Sequence, residues 1–368
     1  MKIVIVSPKN KTAFNFRGDL IRDMIAKGHK VVVIGPNRDY VEDILALGVS
    51  DFIEVKLVKD NTSIKGDLAY LKSLIRVMRE QKPDLVFGYT IKPVIYGSIS
   101  AKLSGVPHIY AMVTGLGRVY ASQGIKAKMV RHITKFLYRT AFRACDKVIF
   151  QNGDDIAELV TEHYLPLEKT VQVNGSGVNM ERFCKTSLPE EPVFLMVSRV
   201  IREKGVMEFC EAARAVKTSY PHARFVLLGG LDNSLGALKM ADIQPYIDDG
   251  SIEYPGEVKD PVVYFQKSSV FVLPSYYREG LPRTLLEAMS CGRAIITTDW
   301  PGCREPVEDG VNGYMIPVKN AEVLAQRMET LAKDRELLEK MADAAYETCR
   351  QKYEVSIINA QMRDVIGY

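Results

Sequence analysis

No apolar run in the sequence approaches the roughly 20 residues that cross a bilayer as a helix. The opening MKIVIVSPKNKTAF carries too short an apolar stretch for a secretory leader and reads as a first strand. The six cysteines, Cys145, Cys184, Cys210, Cys291, Cys303 and Cys349, form no C-x-x-C pair. Reduced thiols in a cytoplasmic protein are expected, rather than a disulfide framework. The five histidines show neither H-x-x-x-H nor H-E-x-x-H spacing, which disfavours a zinc enzyme. No D-x-D occurs. The loop after the first strand, Ser7 to Thr12, lacks glycine, so a G-x-G-x-x-G dinucleotide site is disfavoured. No G-x-x-x-x-G-K-[ST] is present, which argues against a P-loop NTPase.

What is present is an ordinary globular composition, 47% hydrophobic and 26% charged, which argues against a disordered chain. At 368 residues the chain exceeds what one core usually supports, and two domains are expected. Charge is divided unevenly. Residues 1–185 hold 28 Lys and Arg against 18 Asp and Glu, and the remainder is acidic, within a net charge of +4. A basic first half suits an anionic partner, whether a diphosphate, a phospholipid or a nucleic acid. No aromatic platform or known nucleic-acid module accompanies it, so no nucleic-acid partner is expected.

Short β-branched runs alternate with helical patterns. Residues 2–6, 31–34, 84–87, 108–112 and 148–150 read as strands, apolar along their whole length as in a parallel sheet covered on both faces. The rhythm restarts at 193–197, 224–228, 270–273 and 294–297. The pattern predicts an α/β protein of two doubly wound Rossmann-like domains facing a central cleft. Their expected extents are 1–175 and 192–351, with a linker at 176–191. A C-terminal helix over about 352–368 is expected to pack back on the first domain.

Ligands of such sheets bind beyond the carboxyl ends of the strands. After the strand at 193–197 comes Ser198-Arg199-Val200-Ile201-Arg202-Glu203-Lys204-Gly205. Arg199 and Lys204 there suit a diphosphate that leaves with growing negative charge. After the strand at 270–273 comes Glu279-Gly280-Leu281-Pro282-Arg283-Thr284-Leu285-Leu286-Glu287. Pro282 suits a first helical position, which would leave amides near Gly280 and Leu281 open to an anion. Glu279 would sit at the mouth of that helix and Glu287 two turns in. Carboxylates in these places are good acceptors for sugar or ribose hydroxyls. The plainer alternatives are a solvated basic loop and a helix with an acidic first turn.

Together these motifs resemble the retaining GT-B nucleotide-sugar transferases of glycosyltransferase family 4, over essentially the whole chain. The resemblance rests on Ser198-Arg199 with Lys204-Gly205, the E-x7-E segment from Glu279 to Glu287, and Asp299, Pro301-Gly302-Cys303-Arg304-Glu305 and Asp309 to Gly313. In the first half, Thr90-Ile91-Lys92-Pro93, Thr114-Gly115-Leu116-Gly117, Phe150 to Asp155 and Gly175-Ser176-Gly177-Val178 look like the bacterial branch that builds capsule, O-antigen and N-glycan precursors. That branch includes N-acetylgalactosaminyltransferases acting on undecaprenyl-diphosphate sugars.

The resemblance implies a UDP-sugar donor, a polyprenyl-diphosphate-linked saccharide acceptor, no cofactor and no metal. It implies that Glu279 contacts the donor sugar, Glu287 the ribose, and Arg199 and Lys204 the diphosphate, with Gly280 and Leu281 amides completing the cradle. Val258 would lie at the base and Gly229 near the nucleoside. Many members carry a histidine where this chain has Thr114, so a side-chain base there is not expected, although a backbone contact at Thr114 and Gly115 would survive. The glycine-rich first loop of the family is replaced here, leaving Asn15 and Phe16 amides as candidates for the donor phosphate. Lys92, Arg118 and Arg17 are candidate contacts to the acceptor diphosphate.

The stretch 124–147 places Lys126, Lys128, Arg131, Lys135, Arg139, Arg143 and Lys147 among apolar residues. A basic amphipathic helix of this kind suits the inner face of the cell membrane, and peripheral attachment is expected. The alternative is a helix whose apolar side is core. A UDP-sugar 2-epimerase of related architecture and a catalytically silent partner subunit are the competing readings; the Arg199, Lys204, Glu279 and Glu287 set weighs against both.

Overall fold

A computed structural model describes residues 1–57, 64–117, 125–232 and 236–368, with side chains of the helix at 125–144 described from 131 onward. Arg118 and Gly124 lie outside the described residues, as do the side chains of Lys126 and Lys128. The chain divides into two compact units, Met1–Ser176 with Ser356–Tyr368, and Gly177–Val355.

The first unit holds seven parallel strands: β1 (Lys2–Val6), β2 (Lys30–Gly35), β3 (Asp51–Glu54), β4 (Leu85–Tyr89), β5 (His108–Val113), β6 (Lys147–Phe150) and β7 (Thr170–Gln172). Their order is β3-β2-β1-β4-β5-β6-β7. Strand side chains alternate between faces, and β1 shows what this does for a central strand. Val4 and Val6 join one apolar cluster with Tyr70, Leu74 and Val77 of the helix Ile64–Gln81, while Ile3 and Ile5 join another with Ile21 and Met24 of the helix Asn10–Ala26. Both faces are therefore core, which is why the strand reads as a continuous apolar run.

The helix Val355–Ile366 completes the second cluster with Ile358, Met362 and Ile366. Arg363 Nη1 donates to both carboxylate oxygens of Asp23, at 2.8 and 2.7 Å, and the Tyr368 hydroxyl donates to the same group at 2.9 Å.

The second unit holds six parallel strands: β8 (Val193–Val197), β9 (Arg224–Leu228), β10 (Glu253–Gly256), β11 (Val270–Leu273), β12 (Ala294–Thr298) and β13 (Gly313–Ile316), in the order β10-β9-β8-β11-β12-β13. Arg293, fully buried at the start of β12, donates to the carbonyls of Cys291 (3.0 Å), Ser268 (2.6 Å) and Thr186 (2.6 Å), so its charge is compensated by backbone dipoles. In each sheet the strand order reverses beside the first strand, between β1 and β4 and between β8 and β11. Doubly wound sheets bind ligands at such reversals.

Candidate active site

The loops after β8 and β11 leave the sheet side by side, because the two strands are paired, with Val270 opposite Phe194. The loop after β8 ends in a short turn, Arg202–Lys204, and Gly205. Gly205 has φ +77°, and a Cβ there would stand 2.2 Å from the Pro274 carbonyl oxygen. Only glycine lets the two loops meet this closely. The turn also bonds the second loop directly, since Tyr276 N–H donates to the Glu203 carbonyl at 2.9 Å.

This contact brings Lys204 and Glu279 together from positions 75 residues apart, as a directly hydrogen-bonded ion pair. The side chains are 10% and 17% exposed, so the pair is sheltered but reachable. Ser275 Oγ donates to Glu279 Oε1 at 3.2 Å and accepts from Tyr277 N–H at 3.2 Å. Arg199 pairs with Asp232 at 3.0 Å. The Tyr277 ring lies near both cations, 5.6 Å from the Arg199 guanidinium and 5.7 Å from Lys204 Nζ. Burial pulls the Arg199 pKa down, but Tyr277 and Asp232 more than reverse this and hold it above the ordinary arginine value.

The helix after Glu279 differs in detail from expectation. It runs Arg283–Ser290, and Pro282 is its N-cap with extended backbone, φ −63° and ψ 116°. Glu287 is therefore one turn into the helix, not two. The helix's own first N–H groups are those of Arg283 and Thr284, while Gly280 and Leu281 belong to the loop leading in. Glu287 is buried and accepts from Arg283 Nε at 3.1 Å. Burial pushes its pKa up, and Arg283 offsets part of that. Behind Glu279, the turn at 300–303 fits against the loop through Gly302, whose φ is +87° and whose added Cβ would lie 2.6 Å from the carbonyl oxygens of Glu279 and Gly280.

On the other side of Arg199, Gly229 N–H donates to the Gly256 carbonyl at 3.0 Å and the Tyr254 hydroxyl donates to the Gly229 carbonyl at 2.7 Å. Val258 is half-buried two residues past β10. The second unit thus brings Lys204 and Glu279 into contact and sets Arg199 beside them across Tyr277, while Gly229, Val258 and Glu287 lie on the segments that follow β9, β10 and β11. The sequence reading missed Ser275, Tyr277 and Asp232; none sits in a motif, and only the pairing of β8 with its neighbours brings them in.

In the first unit the helix after β1 runs Asn10–Ala26. Asn15 and Phe16 consequently lie inside the helix, where the ladder of backbone bonds takes their N–H groups, and amide contacts from them to a phosphate are ruled out. The Phe16 ring is 42% exposed. Arg17 is buried, packed 5.1 Å from the Tyr89 ring centre and donating to Met112 Sδ at 2.8 Å. Lys92 is held by Asp67 at 2.8 Å, and the Tyr96 hydroxyl shares that carboxylate at 2.9 Å. Thr114 and Gly115 follow β5, Gly115 with φ +103°. Just after β4, Thr90 adopts φ +67°, which a β-branched residue takes only under constraint. Tyr89, the last residue of β4, exchanges a 2.5 Å hydrogen bond with Ser7 Oγ, tying β4 to the loop after β1.

The basic stretch forms the helix Ile125–Ala144 and β6. Tyr138, Ala141 and Phe142 face the core, whereas Ile133 and Phe136 are 55% and 70% exposed. Among the described residues, no helix is long and apolar enough to cross a membrane.

Residues 180–348 match the family model of glycosyl transferases group 1, and residues 3–152 match that of glycosyl transferase 4-like domains. The chain is 29% identical to the N,N'-diacetylbacillosaminyl-diphospho-undecaprenol alpha-1,3-N-acetylgalactosaminyltransferase of Campylobacter jejuni, over 97% of this chain and 96% of that protein. It is 28% identical to the UDP-Gal:alpha-D-GlcNAc-diphosphoundecaprenol alpha-1,3-galactosyltransferase of Escherichia coli, over 86% and 81%. Among solved structures, Anabaena HepE in complex with UDP-glucose aligns with a TM-score of 0.80 over 100% of this chain and 99% of that one, at 18% identity. Sucrose-phosphate synthase from Thermosynechococcus elongatus aligns with a TM-score of 0.81 over 99% and 98%, also at 18% identity. These structures share the architecture of two Rossmann-like domains expected from the sequence.

Proposed function

Since the chain belongs to the glycosyltransferases of group 1, with a first half of the glycosyltransferase 4-like kind, we propose that it moves an N-acetylhexosamine, N-acetylgalactosamine foremost, from a UDP-sugar to a polyprenyl-diphosphate-linked saccharide. The product would be a precursor of capsule, O-antigen or a related glycan. The observation that carries this reading is the convergence of Arg199, Lys204 and Glu279 at the strand reversal of the second unit. Support for the choice of sugar and acceptor comes from the name of the Campylobacter relative, which matches nearly end to end. The E. coli relative favours a second reading, transfer of galactose from UDP-galactose.

In this proposal the donor diphosphate takes Lys204 from Glu279 and Arg199 from Asp232. Two cations already held in place then stabilise the charge that grows on departing UDP, and no divalent cation is needed. Glu279, released from Lys204 and steadied by Ser275, accepts hydroxyls of the sugar. Glu287 serves the ribose, and the loop at Val258 the base. The acceptor hydroxyl attacks from the face that UDP leaves, its proton passing to the departing phosphate, so that configuration is retained. Lys92, Thr114 and Gly115 of the first unit would meet the acceptor, and the helix Ile125–Ala144 would hold the enzyme peripherally on the inner membrane face.

The test is incubation with a panel of UDP-, GDP- and TDP-sugars and detergent-dispersed lipid-diphosphate saccharides, with and without EDTA. Expected are UDP release unaffected by EDTA and a product heavier by one N-acetylhexosamine with an axial, α linkage by NMR. Galactose transfer would select the second reading; loss of turnover in EDTA, or a β linkage, would refute the mechanism.

A further inference from the structure

The helix Ile125–Ala144 turns a mixed stripe outward. Ile133, Phe136, Arg139 and Arg143 follow one another at three- and four-residue spacing and are all exposed, opposite the core-facing Tyr138, Ala141 and Phe142. The core explains the second set and leaves two large apolar side chains in water. At the end of the helix lies a hollow of about 510 Å³, lined by Arg139, Arg143, His163, Tyr164, Pro166 and Lys169 among others.

Three features fit this hollow to an anion. Arg139 and Arg143 have no carboxylate partner among the described residues. As like charges one turn apart they repel until an anion sits between them. A helix C-terminus would ordinarily repel that anion. Here Lys169 Nζ donates to the carbonyls of Phe142 (3.2 Å), Arg143 (3.0 Å) and Cys145 (2.7 Å), covering the negative end. The carboxylate of Glu162, next to His163, is occupied by Lys135 at 3.3 Å.

We infer that this hollow seats the phosphate of an anionic phospholipid headgroup, with Phe136 and Ile133 entering the bilayer interface beside it. The inference rests on the membrane docking proposed above and gives it a defined site. A bilayer is favoured over free phosphate because the apolar side chains on the same stripe gain nothing from a small ion.

The experiment is co-sedimentation of the full chain with phosphatidylcholine vesicles, alone or containing phosphatidylglycerol. Wild type should pellet only with the anionic vesicles. An Arg139→Gln/Arg143→Gln variant should bind them about tenfold more weakly or worse, and Phe136→Ser should also weaken binding. A Lys72→Gln/Arg79→Gln variant, with the same loss of charge on the helix Ile64–Gln81, should bind as wild type. Circular dichroism melting confirms that each variant is folded. Wild type that fails to pellet overturns membrane docking and the headgroup site together. Pelleting that Arg139→Gln/Arg143→Gln and Lys72→Gln/Arg79→Gln reduce equally, or that Arg139→Gln/Arg143→Gln leaves intact, overturns the headgroup site alone. Competition by inorganic phosphate near stoichiometric levels would make this a free-anion site and overturn the lipid assignment.

Discussion

Glu287 shows how one carboxylate can be both well placed and costly. It is buried beside Arg283, and desolvation raises its pKa above the ordinary 4.5 despite that partner. The folded state therefore holds this proton more tightly than the unfolded state, and stability falls as pH rises from about 4.5 through the raised value. The Glu287→Gln variant lacks that titration. Its thermal midpoint relative to wild type should rise with pH across that window and level off above it, even as donor turnover is lost. A midpoint difference independent of pH from 4 to 8 would contradict the assignment. The Lys204–Glu279 pair behaves differently, since each charge answers the other and both remain reachable. Such a pair can be exchanged for a ligand that offers phosphate to one member and hydroxyls to the other.

At the scale of elements, the loops after β8 and β11 owe their geometry to Gly205. Gly205→Ala meets both a left-handed backbone, φ +77°, and a carbonyl oxygen at 2.2 Å. Gly250→Ala meets only the backbone term, φ +72° with no atom within 4 Å. The backbone term costs about 1–2 kcal/mol. Denaturant titration should show roughly that loss for Gly250→Ala and clearly more for Gly205→Ala, which should also weaken UDP binding. Equal losses would remove the packing role.

The same elements mark what the sequence can show. Central strands such as β1 and β8 are legible because both faces are core. The edge strands β3 (Asp51–Glu54) and β10 (Glu253–Gly256) are short and polar and were not expected, nor were β7 and β13. The start of the helix at Asn10 was hidden because Asn10, Lys11 and Thr12 carry no apolar periodicity, and the extended backbone of Pro282 made it the cap of the other helix rather than its first residue. Arg199, Lys204, Glu279 and Glu287 were legible as candidates from their places after two strands and from the resemblance to the family. Their partners Ser275, Tyr277 and Asp232 were not, because what selects them is the adjacency of strands far apart in sequence.

At the scale of the molecule, the two units have separate cores, each with its own sheet. Met362, 2% exposed, sits in the first unit's core although it lies beyond the second in sequence. Met362→Ala should cost about 2–5 kcal/mol. In calorimetry the loss should appear in one transition, that of the first unit, with the other unmoved. A common shift of both would mean that the units unfold as one.

The placement of that helix also governs when the protein can finish folding. Ribosomes add about 5–20 residues per second, and domains generally fold as they emerge. The first sheet is complete once β7 is out, yet Ile358, Met362 and Ile366 arrive only after the entire second unit. For on the order of ten to forty seconds at that pace the nascent first unit lacks these three side chains, so the part of its second apolar cluster that they complete stands open, an interval in which chaperones rather than the chain itself would have to shield it.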